Sequence, residues 1–237
     1  MQIIQEKLPE EPSSQRLIAS MAIAGFISGL IIISIYLLTF ETIKANKARE
    51  LQDAVFKVIP GVIKMQKFHY IAADNKLVPV FTDTIDEEMV FAGFNQHNQF
   101  VGYAIQGAGP GFQDTIKLLF GYQRKGSKIL GMEVLDSRET PGLGDKIYKD
   151  LNFVNEFKNL PIDDEIKAVK IGKKTQPNEI DAITGATISS KAIVKIINIA
   201  FKKWDRQLPK LGVEPGWDNI IAAKKLSPVI NEKGGSQ

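Results

Sequence analysis

The chain has no cysteine and only two histidines, His69 and His97. Disulfides, thiolate nucleophiles, Cys-ligated zinc, iron–sulfur clusters and c-type haem attachment are therefore excluded, as is a multi-histidine metal site. Neither histidine stands in a recognisable partnership with a serine and an acid, which leaves out a catalytic triad. An excess of one charge is also missing. Thirty Lys+Arg against 27 Asp+Glu give a formal net charge of +3. Without a basic stripe or aromatic–basic interleaving, no nucleic-acid partner is expected. Internal repeats and low-complexity runs are absent too. With 44% hydrophobic and 24% charged residues, the chain is expected to fold rather than remain disordered. Its 237 residues allow one or two domains. Any redox chemistry must use a cofactor that needs neither Cys nor a His cluster.

One long uncharged run is present, Leu17–Phe40, bracketed by Arg16 and Glu41. As a helix it would reach ~36 Å, enough for a ~30 Å hydrocarbon core. A secretory signal has a shorter apolar core and a small-residue cleavage site. Here Glu41 follows instead, so a retained anchor is expected. Gly25 and Gly29 form a G-x-x-x-G pair beside Ser28, which is either a helix-contact face or ordinary transmembrane glycine. Two basic residues precede the run (Lys7, Arg16) and three follow closely (Lys44, Lys47, Arg49), so charge does not fix the orientation. The expected organisation is a short N-terminal segment 1–16, a transmembrane helix 17–40, a domain at 41–205 and an extended C-terminal tail 206–237.

Residues 41–58 read as a helix with Ile43, Leu51, Val55 and Val58 on a loose apolar stripe, stopped by Pro60-Gly61. Strand-like stretches follow at Leu77–Thr82, Met89–Phe94, Phe100–Gln106, Thr115–Tyr122 and Lys128–Leu135. Residues 144–159 look partly helical. Ser189–Trp204 is the clearest helix of the domain, because Ile193, Ile196, Ile197, Ala200, Phe201 and Trp204 fall on one face. Strands first and helices later predict an α+β fold: one N-terminal transmembrane helix followed by a single mixed sheet/helix domain, its sheet covered on one side. In the tail, Trp217 and Ile220-Ile221 are candidates to dock on the domain or on a partner.

The sharpest local signal is Asp181-Ala182-Ile183-Thr184-Gly185-Ala186-Thr187, running through Ile188-Ser189-Ser190 into that helix. Gly185 permits a tight turn. A helix N-terminus presents unpaired N–H groups and a positive dipole end, which favour a phosphate. Ser189 or Ser190 is expected to cap the helix, with Thr187 just upstream beside the anion site. The competing reading is a plain Ser/Thr-rich cap. A second signal is Glu139-Thr140-Pro141-Gly142-Leu143-Gly144. Pro141 fixes a bend, Gly142 and Gly144 free the backbone for close approach, Leu143 supplies an apolar side chain and Thr140 a hydroxyl. Alone, this segment reads equally as a Gly-rich turn. Gly107-Ala108-Gly109-Pro110-Gly111-Phe112 has Phe where a third glycine would be needed, so a dinucleotide fold is not supported. Phe112 reads by itself as a core aromatic. His69 is expected to be structural, His97 to lie in an exposed polar turn, and Asp163-Asp164-Glu165 to form a solvated loop.

Asp181-x-x-Thr184-Gly185-Ala186-Thr187 resembles the flavinylation motif D-x-x-[ST]-G-A-T of FMN-binding subunits in ion-pumping respiratory complexes. Glu139–Gly144 resembles the E-T-P-G-L-G loop of the same family. Over roughly residues 15–205 the resemblance is closest to the G subunit of the Rnf ferredoxin:NAD oxidoreductase complex. Asp145-Lys146-Ile147 and Ser189-Ser190-Lys191-Ala192 are similar to that branch.

The resemblance implies FMN held covalently by a phosphoester on Thr187 and installed from FAD by a flavin transferase. It implies that Asp181, Thr184, Gly185, Ala186 and Ser189 surround the attachment point, and that Glu139, Thr140, Pro141, Gly142, Leu143 and Gly144 lie against the isoalloxazine. For Phe112 it implies, instead of the core, a place near the bound ring. Lys146 and Lys191 would stabilise the phosphate or the reduced ring. The chain would then be an electron-carrying subunit rather than an independent catalyst. Its partners would be the integral membrane and peripheral subunits of the complex. It would cross the cytoplasmic membrane once, with its domain on the extracytoplasmic side. Two alternatives stay open: the C-subunit equivalent of the sodium-pumping NADH:quinone reductase, and a non-redox, membrane-anchored module that binds a phosphate or a partner.

Overall fold

The computed structural model describes residues 13–74, 76–82 and 88–226. Most of the expected N-terminal segment, and the tail beyond 226, lie outside the described residues. The chain divides into two compact units, one to Ala48 and one from Arg49. Helix α1, Ser14–Val58, contributes to both.

In the first unit α1 is long and apolar enough to cross a membrane. Leu17, Met21, Phe26, Ile32 and Leu38, among others, are exposed. The Ser34 and Thr39 hydroxyls donate to the carbonyls of Leu30 and Ile35 one turn back, at 2.7 and 2.8 Å. These hydroxyls thus satisfy themselves on the helix's own backbone, as an apolar solvent requires. A Cβ added at Gly25 or Gly29 would meet open space.

The second unit holds a seven-stranded sheet in the order β2-β1-β3-β4-β5-β6-β7 and a two-stranded parallel sheet, β8-β9. Its strands are β1 Lys64–Ile71, β2 Lys76–Val80, β3 Met89–Phe94, β4 Phe100–Pro110, β5 Thr115–Gln123, β6 Lys128–Asp136, β7 Leu160–Pro161, β8 Lys167–Lys170 and β9 Glu179–Ala182. Every neighbouring pair of the large sheet is antiparallel. Short helices α2 (Lys146–Lys149) and α3 (Leu151–Asn155) precede β7; α4 (Thr187–Gln207) and α5 (Trp217–Leu226) follow β9.

The large sheet is covered on both faces, not on one side as its strand-then-helix order suggests. One face packs Val90, Phe94, Ile105, Phe120 and Ile129 against Ile193, Ile197 and Trp204 of α4. The other carries Phe91, Ala104, Leu119 and Leu130 against Leu51, Ala54, Val55 and Val58 of α1. Those four helical positions follow the i, i+3, i+4, i+7 rule, so the end of α1 is an amphipathic helix in its own right. Ile43, expected on the same stripe, is exposed. Burial on both faces explains why all six residues of β3 are buried.

The segment after 206 is not simply extended. α4 runs to Gln207, and Trp217–Leu226 is helical. Trp217 packs edge-on against Phe94 with ring centroids 5.1 Å apart, and Ile220 is buried. The tryptophan thus docks on the domain itself, and the apolar pair at i, i+3 winds its surroundings into a helix.

Candidate functional site

The two motif segments meet around Glu139. This carboxylate is 5% exposed and makes no ion pair among the described residues. Its Oε1 accepts from the backbone N–H groups of Phe112 (2.9 Å) and Gln113 (3.0 Å), in the β4–β5 connection. Its Oε2 accepts from Ser189 Oγ at 2.5 Å, in the first turn of α4. Glu139 therefore ties three segments together: the hairpin turn at 111–113, its own loop and the start of α4. Burial alone would raise its pKa, but the hydrogen bonds from Ser189 and from the backbone of Gln113, Phe112 and Asp114 outweigh this and hold it below its ordinary 4.5. It is an anion held by neutral donors.

This junction leaves no room for side chains at Gly111 and Gly144. A Cβ on Gly144 would lie 2.7 Å from Glu139 Oε2, and one on Gly111 would collide with Glu139 Oε1. Thr140 reinforces the junction by donating to Gln113 Oε1 at 3.0 Å, while its carbonyl accepts from Leu143 N and Asp145 N. Leu143 reaches toward the second motif, its Cδ2 3.6 Å from where a Cβ of Gly185 would sit. Gly185 has φ +83°, a conformation L side chains rarely adopt, and turns the chain from β9 into α4.

The start of α4 differs from its expected form. The N-cap is Ala186, without a side-chain cap, and Thr187 is the first helical residue rather than the one before the cap. Neither serine caps, because both hydroxyls are engaged elsewhere. Ser190 Oγ donates to the Ala186 carbonyl and accepts from Ile183 N, and Ser189 holds Glu139. The first N–H groups of α4 consequently lack a side-chain acceptor, which suits an anion. Thr187 is exposed, and its hydroxyl has only a long contact to the Ile183 carbonyl, 3.4 Å. Around this point Phe112, Leu143 and Ile188 stand 64%, 50% and 57% exposed. Of the two expectations for Phe112, the core position is not realised.

Other residues singled out in the sequence fall at different distances from this junction. Thr184 is exposed, Pro141 and Gly142 form the exposed bend, and Lys146 opens α2. Asp145 is buried and pairs with Lys149 at 2.7 Å. The Asp181 carboxylate engages the connection after β8: it accepts from Gly172 N at 3.0 Å and lies 3.6 Å from Lys174. Lys191 sits one turn after Thr187 and lines a groove between α4 and β8. His97 is exposed, and no His/Asp/Glu cluster suited to a metal occurs among the described residues. Gln113, and the backbone N–H groups that hold Glu139, were not legible as site elements; the glycine at 111 was their one visible trace.

A family described as FMN-binding domain matches residues 111–202, a span containing both motifs. The chain is 27% identical over 185 residues to the G subunit of the ion-translocating oxidoreductase complex of Methanosarcina acetivorans, covering 78% of this chain and 91% of that protein. It is 30% identical over 185 residues to the protein of the same name from Shewanella piezotolerans, covering 73% and 81%. It is 29% identical over 184 residues to the G subunit of the proton-translocating ferredoxin:NAD(+) oxidoreductase complex of Clostridium ljungdahlii, covering 78% and 88%. Among solved structures, Shewanella oneidensis NqrC matches the fold with a TM-score of 0.55 at 19% identity, over 77% of this chain and all of that one. With both motifs in place and matches that run through most of each relative, the chain belongs to the G-subunit family of the ion-translocating oxidoreductase complexes.

Proposed function

We propose that this chain is a membrane-anchored electron-transfer subunit carrying FMN on Thr187 within an ion-translocating ferredoxin:NAD oxidoreductase complex, its second unit on the extracytoplasmic side. The observation that carries the reading is the meeting of the two motif segments through Glu139, Ser189, Leu143 and Gly185, beside an exposed threonine hydroxyl at an uncapped helix start. The residues present fit the cofactor. The free N–H groups of the first turn of α4 suit a phosphate, the open backbone at Gly142 leaves space, and exposed Phe112, Leu143 and Ile188 suit a flat apolar ring.

Thr187 Oγ is the nucleophile of maturation. It would hold FMN as a phosphoester, the FMN phosphoryl group coming from FAD through a flavin transferase with AMP as the leaving group. The first turn of α4 then binds the phosphate through its backbone N–H groups. Lys146 and Lys191 add positive charge to the same end. The Glu139–Gly144 loop would lie against the ring, orient it and limit water on that side. When bound, the isoalloxazine supplies the electron chemistry; the protein supplies attachment, orientation and electrostatics. A tether suits relay inside an assembly, because the carrier cannot diffuse away between transfers. Relatives named as G subunits, matched over most of their length, favour this reading over a quinone-reductase component.

The test uses in-gel flavin fluorescence of the denatured full-length chain, co-expressed with a flavin transferase. Thr187→Ala is expected to abolish the fluorescent band while leaving the thermal midpoint of the chain in place. A Thr187→Ala chain that still fluoresces removes Thr187 from the scheme.

A further inference from the structure

Between α4 and β8 lies an open groove of about 600 Å³. Lys167, Ala168 and Val169 form one wall, and Lys195, Asn198 and Ile199 stand on the other. Asn198 has a particular part in it. Its Oδ1 accepts from Ile166 N at 3.0 Å and its Nδ2 donates to the Ile166 carbonyl at 2.9 Å. This is the two-bond pattern that a neighbouring strand would give, so the amide completes one residue of the β8 edge. Lys167 N bonds to Asn178 O on the β9 side. By the strand's period of two, Val169 also faces β9, whereas Ala168 turns its N–H and C=O the other way, into the groove. A main-chain edge thus opens where the Asn198 amide leaves off.

The walls add charge and an apolar contact. Lys202, at the far end, is paired with Glu165. Lys195 is exposed and makes no ion pair among the described residues. Ile199, one turn along α4 from Lys195, is 59% exposed among these cations. A solvated helix face would place polar residues at such a position.

From this juxtaposition of an open strand edge at Ala168, a free cation at Lys195 and an exposed isoleucine at Ile199, we propose that the groove docks an extended acidic segment of a partner polypeptide. The segment's backbone pairs with Ala168, a carboxylate meets Lys195 and an apolar side chain covers Ile199. Main-chain pairing supplies affinity and the alternate side-chain contacts supply specificity, as in other strand additions. The paired donor and acceptor of Ala168 favour a polypeptide over an anionic lipid headgroup, which offers no matching ladder.

The test places a photo-crosslinking benzophenone side chain at Ile199 of the full chain in its native membrane. Illumination is expected to join it to a polypeptide whose mapped peptide is rich in Asp and Glu. The yield should fall several-fold at high salt or with Lys195→Glu and recover with Lys195→Arg, because the attraction is Coulombic. A thermal midpoint of the solubilised Lys195→Glu chain equal to that of the parent establishes that the fold is intact. If that variant unfolds, the salt series alone decides. An adduct with lipid, an adduct with a peptide lacking an acidic run, a yield indifferent to salt and to Lys195→Glu, or no adduct overturns the proposal.

Discussion

In α4, Ile193, Ile196, Ile197, Ala200, Phe201 and Trp204 share one face and are buried, whereas between Leu17 and Phe40 of α1 the large apolar residues ring the helix and stay exposed. The residue types are nearly the same. What differs is their spacing. Interrupted by lysines at 191, 195, 202 and 203, the apolar residues of α4 form a stripe that needs a sheet to cover it. Uninterrupted over 24 positions, those of α1 need an apolar solvent on all sides. The end of α1 repeats the α4 solution: Leu51, Ala54, Val55 and Val58 are buried on the opposite face of the same sheet.

The comparison can be pressed by substitution. The largest effect is expected for Trp204→Ala, at 1% exposure, which should cost about 3–5 kcal/mol and lower the urea midpoint of the second unit. Charge in the other helix should act on insertion. Ile31→Arg, near the centre of the uncharged run, should disfavour membrane insertion by about 3 kcal/mol, read as a smaller fraction of chain resisting alkaline extraction.

The Glu139 junction comes next. Ser189→Ala removes a donor from a buried carboxylate and should cost about 1.5–3 kcal/mol, measured by chemical denaturation at neutral pH. Glu139 has a lowered folded-state pKa, so its contribution is present above its ordinary value and is lost as pH falls through the folded value. A Glu139→Gln chain should show a flatter stability profile on acidification than the parent, and equal slopes would remove the carboxylate from the account. The smallest effect is expected for Ile199→Ala, within about 0.5 kcal/mol, although Ile197→Ala two residues away should cost about 2–5. Similar losses at both positions would contradict the one-sided burial of α4.

Five strands were legible, because Met89–Phe94, Phe100–Pro110, Thr115–Gln123 and Lys128–Asp136 are strongly apolar and bounded by polar turns, and Lys76–Val80 overlaps the expected apolar stretch Leu77–Thr82. β1 was not, because in Lys64–Ile71 only Phe68 is buried and lysines interrupt any alternation. β7, β8 and β9 have four residues or fewer, too short for a period to register. At the site, the two motif segments were visible as local patterns. The bond joining Ser189 to Glu139 spans 50 positions and has no local signature. The same bond explains the misread cap: the serine expected to close the helix start is occupied by a carboxylate from another loop. The Asn198 amide on the β8 edge was hidden for the same reason, since its partner is 32 positions away.

The central claim is that Thr187 is the attachment point of FMN. The most direct measurement is the intact mass of the full-length chain, followed by peptide mapping, after expression in a host that exports it and supplies an active flavin transferase. The account predicts one added FMN, located on the peptide containing Thr187. An unmodified mass, with the transferase active on a control substrate in the same cells, would contradict it.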